Sequence, residues 1–190
     1  MSASASSLSS GSSPMAPMGF RCILRLVSGP ALLTLAVTLL RLILEGVQAP
    51  DWLASRKAGG GGALIGIAWL PLVFGPFFVA RLRAPGVATW PLLKRLLKVL
   101  VIYGWASRLP VVIVTFLAVA FGWDTHFNKF GQDAAQPAMG RIVLGTLVAQ
   151  LVFWSVIWTP IVGGVAGIVY HRLTRGKETK AATDPSPRPA

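Results

Sequence analysis

Apolar residues in this chain fall into long blocks rather than alternating with polar ones, and the short stretches between the blocks carry nearly all the charge. The blocks cover residues 22–47, 63–80, 99–123 and 142–170. At 1.5 Å per residue a helix of such length can cross a hydrocarbon core of roughly 30 Å, the second block only barely. Backbone polar groups in lipid must be satisfied within the segment, so each block is read as a helix. The pattern predicts an all-α polytopic membrane protein with four transmembrane helices; three is the competing count. Residues 20–173 form the membrane domain on this reading, preceded by an uncharged Ser/Ala-rich tail, 1–19, expected to be disordered. Residues 174–190 form a basic tail.

The first block admits two other readings. Arg21 and Arg25, the apolar run after them and the small-residue site Val47-Gln48-Ala49 resemble a signal peptide. Arg41 and Pro50 count against cleavage, and a retained helix is the preferred reading. The Ser-rich, acid-free first 44 residues also fit a transit peptide, which would place the mature chain in an organellar membrane.

Composition narrows the class. The chain is 54% hydrophobic and 13% charged, against roughly a quarter charged residues in a soluble domain. Soluble globular and disordered classes are thereby excluded. The net charge of +12, from 18 Lys and Arg against 6 Asp and Glu, needs separate explanation. Arg81, Arg83, Lys94, Arg95 and Lys98 lie between the second and third blocks with no acid among them. Arg21 and Arg25 flank the first block, and Arg172, Arg175, Lys177, Lys180 and Arg188 follow the fourth. The alternate connections hold Arg41, Arg56, Lys57, Lys129 and Arg141, offset by Glu45, Asp51, Asp124 and Asp133. Lys and Arg are retained on the cytoplasmic side, so both termini are expected there, in a plasma membrane (the inner membrane of a bacterium). The basic excess then implies the bilayer, and anionic lipid headgroups at the cytoplasmic face, as partners. Nucleic acid is not expected, because no soluble domain is left to bind it.

Little in the sequence offers chemistry. Cys22 is the single cysteine and has no partner for a disulfide or a redox pair. His126 and His171 fall on opposite faces of the predicted membrane, so they cannot share a metal. No motif of the H-E-x-x-H, G-x-S-x-G or P-loop kind occurs. All six carboxylates are read as lying outside the membrane core, which argues against a self-contained proton-driven carrier. No catalytic residue, metal or cofactor is expected. His126 and Asp124 are read as part of a solvated outer loop, an enzyme acting on lipid headgroups through them being the remote alternative.

Arg108 is the sharpest anomaly, a cation about ten residues inside the third block and followed by Leu109-Pro110. At such depth an arginine costs roughly 2.5–3.5 kcal/mol or more without a partner. It is expected either to anchor the end of an interfacial segment, 90–107, or to face the bundle interior. Facing inward, it would meet Trp154 and Trp158, with Gln150 one turn earlier, and the four would line a small polar-aromatic ligand pocket. Small residues at four-residue spacing, Ser155, Thr159, Gly163 and Gly167, with Gly62 and Gly66 in the second block, predict close helix packing. Pro71, Pro76, Pro110 and Pro160 add kinks. Arg56 and Lys57 before the glycine run 59–62 are read as the lead-in to a hinge, with an anion site as the alternative. The functional expectation is a non-enzymatic scaffold or accessory subunit, with a membrane-protein partner or a homo-oligomer. The competitor is a small permease or ligand-binding protein built around Arg108.

Overall fold

The computed structural model describes residues 18–57, 63–83, 88–127 and 139–183, and all regular secondary structure among them is helical. Helix α1 spans Phe20–Gly46, α2 Leu70–Leu82, α3 Thr89–Ala120 and α4 Met139–Leu147. A π-helical segment, Val148–Trp158, continues α4 without a break into α5, Thr159–Thr183. The 1–17 portion of the expected N-terminal tail, the glycine run with Gly62, and Lys129 and Asp133 of the outer loop lie outside the described residues.

Three helices are long and apolar enough to cross a membrane: α1, α3 and the stretch Leu144–Gly176. The second block behaves differently from its prediction, because α2 has only 13 residues, about 20 Å of helix. Pro71 explains where it starts, since proline is tolerated in a first turn whose N–H groups have no intrahelical acceptor. Residues 63–65 are instead paired to the preceding loop. The Leu64 N–H donates to the Trp52 carbonyl at 2.9 Å and the Ile65 N–H to that of Leu53 at 3.0 Å. Helix α3 begins ten residues before its predicted start, which places Lys94, Arg95 and Lys98 on the helix itself. The fourth block extends past residue 170 through Thr183, so the first part of the basic tail is helical.

Local sequence accounts for the ends of α1. It starts after Gly19 without a side-chain cap, and it closes with Gln48 in the left-handed region, φ 58°. The Ala49 N–H reaches back to the Leu44 carbonyl, which satisfies a terminal acceptor. Its buried positions, Ile23, Val27, Pro30, Thr34, Thr38, Arg41 and Glu45, recur every three or four residues and form one stripe. Beyond its charged start, much of the rest of α1 is exposed apolar surface, including Leu32, Leu33, Leu39 and Ile43.

Helix α3 is central: 56% of its apolar window is buried, against 28% and 33% for the windows in α1 and Leu144–Gly176. It runs parallel to α1, as shown by Thr34 meeting Tyr103 and Glu45 meeting His126 beyond the end of α3. It runs antiparallel to the last rod, with Trp105 donating to the Leu151 carbonyl and Leu96 lying at Gly167. Helix α2 lies parallel to α5, from the Trp158 indole on the Ala68 carbonyl to Arg83 on the Thr174 hydroxyl. The start of α1, the end of α2, the start of α3 and the far part of α5 therefore share one end of the bundle. Residues 45–57 and 121–127 share the other.

Side-chain packing runs from the first end to the middle of the bundle. Phe74 and Phe78 of α2 stand edge-on to Tyr103 at 5.2 and 5.6 Å between ring centroids. The Tyr103 hydroxyl pairs with Thr34 at 2.8 Å, so one side chain of α3 ties α1 to α2. Helix association in lipid depends on such close packing and on interhelical hydrogen bonds rather than on expulsion of water.

Candidate functional site

Arg108 projects from the middle of α3 and is buried, 5% exposed. Its guanidinium carbon lies 4.9 Å from the centroid of the Trp154 ring, within the range of cation–π attraction. Among the described residues no carboxylate reaches it. Trp158 stands edge-on to Trp154 at 5.5 Å, but its indole N–H is spent on the Ala68 carbonyl and the ring is partly exposed. Gln150 is buried, and its Oε1 has no hydrogen-bond partner; the same holds for the Thr146 hydroxyl one turn earlier.

The π winding explains why these four residues do not line one face. Expected spacing in an α-helix puts Gln150, Trp154 and Trp158 on a single stripe. Between Val148 and Trp158 the hydrogen-bonded turn widens to five residues, and the buried positions become Gln150 and Ser155. The Ser155 hydroxyl donates to the Gln150 carbonyl and the Thr159 hydroxyl to that of Trp154, each five residues back. Trp158 is rotated toward the surface, where it caps the approach to α2. The structure brings Arg108 and Trp154 together and turns Trp158 to a different task.

The small-residue stripe divides in the same way. Gly163 and Gly167 face α2, where Gly75 meets the Gly163 main chain, and Ser155 faces Gly104 of α3. Thr159 is buried beside them. Gly66 is not on a helix at all; it precedes α2 and sits against the Arg41 side chain. The partners Gly75 and Gly104 were not singled out from sequence, because each is an isolated glycine in an apolar run.

A second polar site was missed entirely. At the far end of α1 the Arg41 Nε donates to Glu45 Oε1 at 2.8 Å, and an Arg41 terminal nitrogen donates to the Ser55 carbonyl at 3.0 Å. Glu45 Oε2 accepts the His126 backbone N–H at 3.0 Å, while His126 Nδ1 lies 2.5 Å from Oε1. Glu45, read from sequence as lying outside the membrane core, is buried within the protein, 1% exposed. One carboxylate thus fastens the end of α1, the 50–57 loop through Arg41, and the segment after α3. Burial holds the His126 imidazole below its ordinary pKa, against the opposing pull of Glu45, and Arg41 adds to the lowering. The sequence signal was the four-residue spacing of Arg41 and Glu45, which places opposite charges on one helix face.

Asp124 and His126 do not converge. Asp124 is exposed and pairs with Arg56 at 3.3 Å, whereas His126 turns inward to Glu45. Among the described residues no three His, Cys, Asp or Glu side chains gather as a metal site. Beside the Glu45 cluster opens a cleft of about 420 Å³, lined by Leu42, Glu45, Gln48, Arg56, Trp123 and Thr125 among others. His171 is buried near the opposite end of the bundle. No family model, curated protein or solved structure matches the chain.

Proposed function

We propose that the chain is a small, non-enzymatic integral membrane protein serving as a scaffold or accessory subunit of a plasma-membrane complex. In this reading α2 and the non-helical residues before it make a fourth crossing, and both termini lie on the cytoplasmic side. The carrying observation is the closure of the bundle around Arg108. Trp154 covers the guanidinium, and one turn away the main chains of Gly104 and Ser155 are in contact. The cleft beside Glu45 lies at one end of the bundle instead. A body closed around its mid-helix cation, with apolar faces exposed along α1 and α5, suits assembly with other membrane proteins or with itself.

A permease or ligand-binding reading draws on one observation, the buried and unpartnered Gln150 Oε1 and Thr146 hydroxyl where α4 passes into the π-helical segment. Labelling separates the two. In a Cys22→Ser background, Arg108→Cys and Gln150→Cys are treated in membrane vesicles with a membrane-impermeant thiol reagent. Protection of both positions, with a complex larger than the monomer in mild detergent, is expected of the scaffold. Rapid labelling at either would overturn it in favour of a water-filled pocket. Reporter fusions after Thr183 and at Trp52 test the orientation, the first expected on the cytoplasmic side and the second opposite.

A further inference from the structure

The cleft beside Glu45 has a volume of about 420 Å³, which falls in the range of small-molecule sites. Leu42 and Trp123 supply apolar surface to it, and Glu45, Arg56, Asp124 and Thr125 supply polar groups. The charges come in opposed pairs. Glu45 is answered by Arg41 at 2.8 Å, and Asp124 by Arg56 at 3.3 Å. The first pair is enclosed. The second is solvated, its side chains 30% and 67% exposed, and a pair of that kind contributes little and opens easily.

Thr125 is the observation that points to a ligand. It lines the cleft, is 4% exposed, and its hydroxyl has no hydrogen-bond partner. A buried hydroxyl left unbonded is costly, and an occupant of the cleft relieves it. The neighbouring charges define that occupant. A simple ion of either sign would meet a like charge, on Asp124 or on Arg56, beside its partner. A zwitterion offers the matching end to each. A carboxylate accepts several hydrogen bonds at once, so the existing contacts of Asp124 leave it able to take an ammonium. The Trp123 ring, also lining the cleft, attracts a cation as well. Among the described residues one terminal nitrogen of Arg56 is engaged, by Asp124, and the remaining guanidinium donors suit phosphate oxygens.

We propose that this cleft binds a phosphoethanolamine zwitterion, its phosphate on Arg56, its primary ammonium on Asp124 and the Thr125 hydroxyl completing the set. A primary ammonium donates hydrogen bonds to carboxylate and hydroxyl oxygens, which a trimethylated one cannot do. A phospholipid headgroup and a soluble phosphodiester both carry this chemistry. In the membrane reading, exposed Trp52 and Trp123 place this end of the bundle at headgroup depth. Exposed Leu39, one turn back from Leu42 on α1, continues the apolar surface along which acyl chains would run. The site is independent of the scaffold role.

The test places the purified full chain in nanodiscs of phosphatidylcholine, alone, with phosphatidylethanolamine, or with soluble glycerophosphoethanolamine added. Native mass spectrometry reads the retained ligand, and thermal unfolding reads stabilisation. Retention of phosphatidylethanolamine over phosphatidylcholine, with a raised unfolding temperature, is expected and names the lipid as the source. Equal stabilisation by the soluble compound would uphold the site and name a soluble ligand. Arg56→Gln and Thr125→Val should each weaken retention roughly tenfold, the loss of one hydrogen bond to the ligand. Thr125→Ser keeps the hydroxyl and should retain the ligand. In phosphatidylcholine alone, Thr125→Val should unfold no earlier than the wild type, because it removes an unbonded buried hydroxyl. Lys57→Gln, whose native side chain pairs with Asp51, should behave as the wild type throughout. Stabilisation by neither ethanolamine compound, or retention unchanged in both Arg56→Gln and Thr125→Val, would overturn the site. So would an unfolding temperature lowered equally in every disc by Thr125→Val, the mark of a purely structural hydroxyl.

Discussion

Gly75 of α2 and Gly163 of α5 meet main chain against main chain, and a β-carbon on Gly75 would occupy the space of the Gly163 carbonyl. This contact seats the short helix against the rod, and Gly104 against Ser155 does the same for α3. Gly75→Ala and Gly104→Ala should each destabilise the folded protein by roughly 1–3 kcal/mol through overpacking. Gly29→Ala, on α1 with nothing near its side-chain position, should be neutral or slightly stabilising. Unfolding in mixed detergent micelles reads the difference; equal effects at the three sites would contradict the packing.

The Arg41–Glu45 pair is enclosed, with side chains 10% and 0% exposed. Glu45→Ala removes the buried carboxylate that answers the Arg41 charge and accepts the His126 N–H, and should cost about 3–5 kcal/mol. Replacing both members, Arg41→Leu with Glu45→Leu, should recover a large part of that loss, because no uncompensated charge remains. The same unfolding assay checks both variants.

Acid should loosen this end of the molecule. His126 has a folded-state pKa below its ordinary 6.5, so the unfolded chain binds its proton first. Its contribution to stability is complete above about pH 6.5 and is lost as pH falls through the window beneath it. A pH series of unfolding midpoints should decline on the acid side, and His126→Gln should flatten that part of the curve. Hydrogen exchange at residues 121–127 should rise over the same interval.

Arg108 and Trp154 should be energetically coupled. Burying the cation costs roughly 2.5–3.5 kcal/mol, whereas cation–π attraction in a desolvated site returns about 2. Arg108→Leu should therefore leave stability nearly unchanged or raise it slightly. The double-mutant cycle with Trp154→Leu should give a coupling of about 1–2 kcal/mol. A coupling near zero would remove the interaction from the account of the bundle's middle.

What sequence reveals about this fold depends on how far each element is governed by its own residues. Helix α1 and the rod ending in α5 are long apolar runs, so length and hydropathy suffice to place them. The start of α2 depends on Pro71 and on Leu64 and Ile65 bonding to the loop at Trp52 and Leu53, a pairing between segments that no periodicity records. The meeting of Arg108 with Trp154 follows from antiparallel neighbours joined across one loop. The displacement of Trp158 does not, because the π winding lengthens the hydrogen-bonding step from four residues to five. Glu45 and His126 are 81 residues apart, and their contact exists only because α1 and α3 run parallel.

Helix α2 offers about 20 Å of length where its neighbours offer twice that. With α2 in the proposed fourth crossing, lipid beside its exposed Leu72 and Val73 would meet a shorter helical wall than lipid beside α1. A bilayer answers such a mismatch by thinning, at a fraction of a kcal/mol for each ångström. The protein should carry a one-sided dimple in the membrane around it. Two such dimples merge at lower cost than they persist apart, so the shape of α2 would itself favour neighbours that share its thin flank.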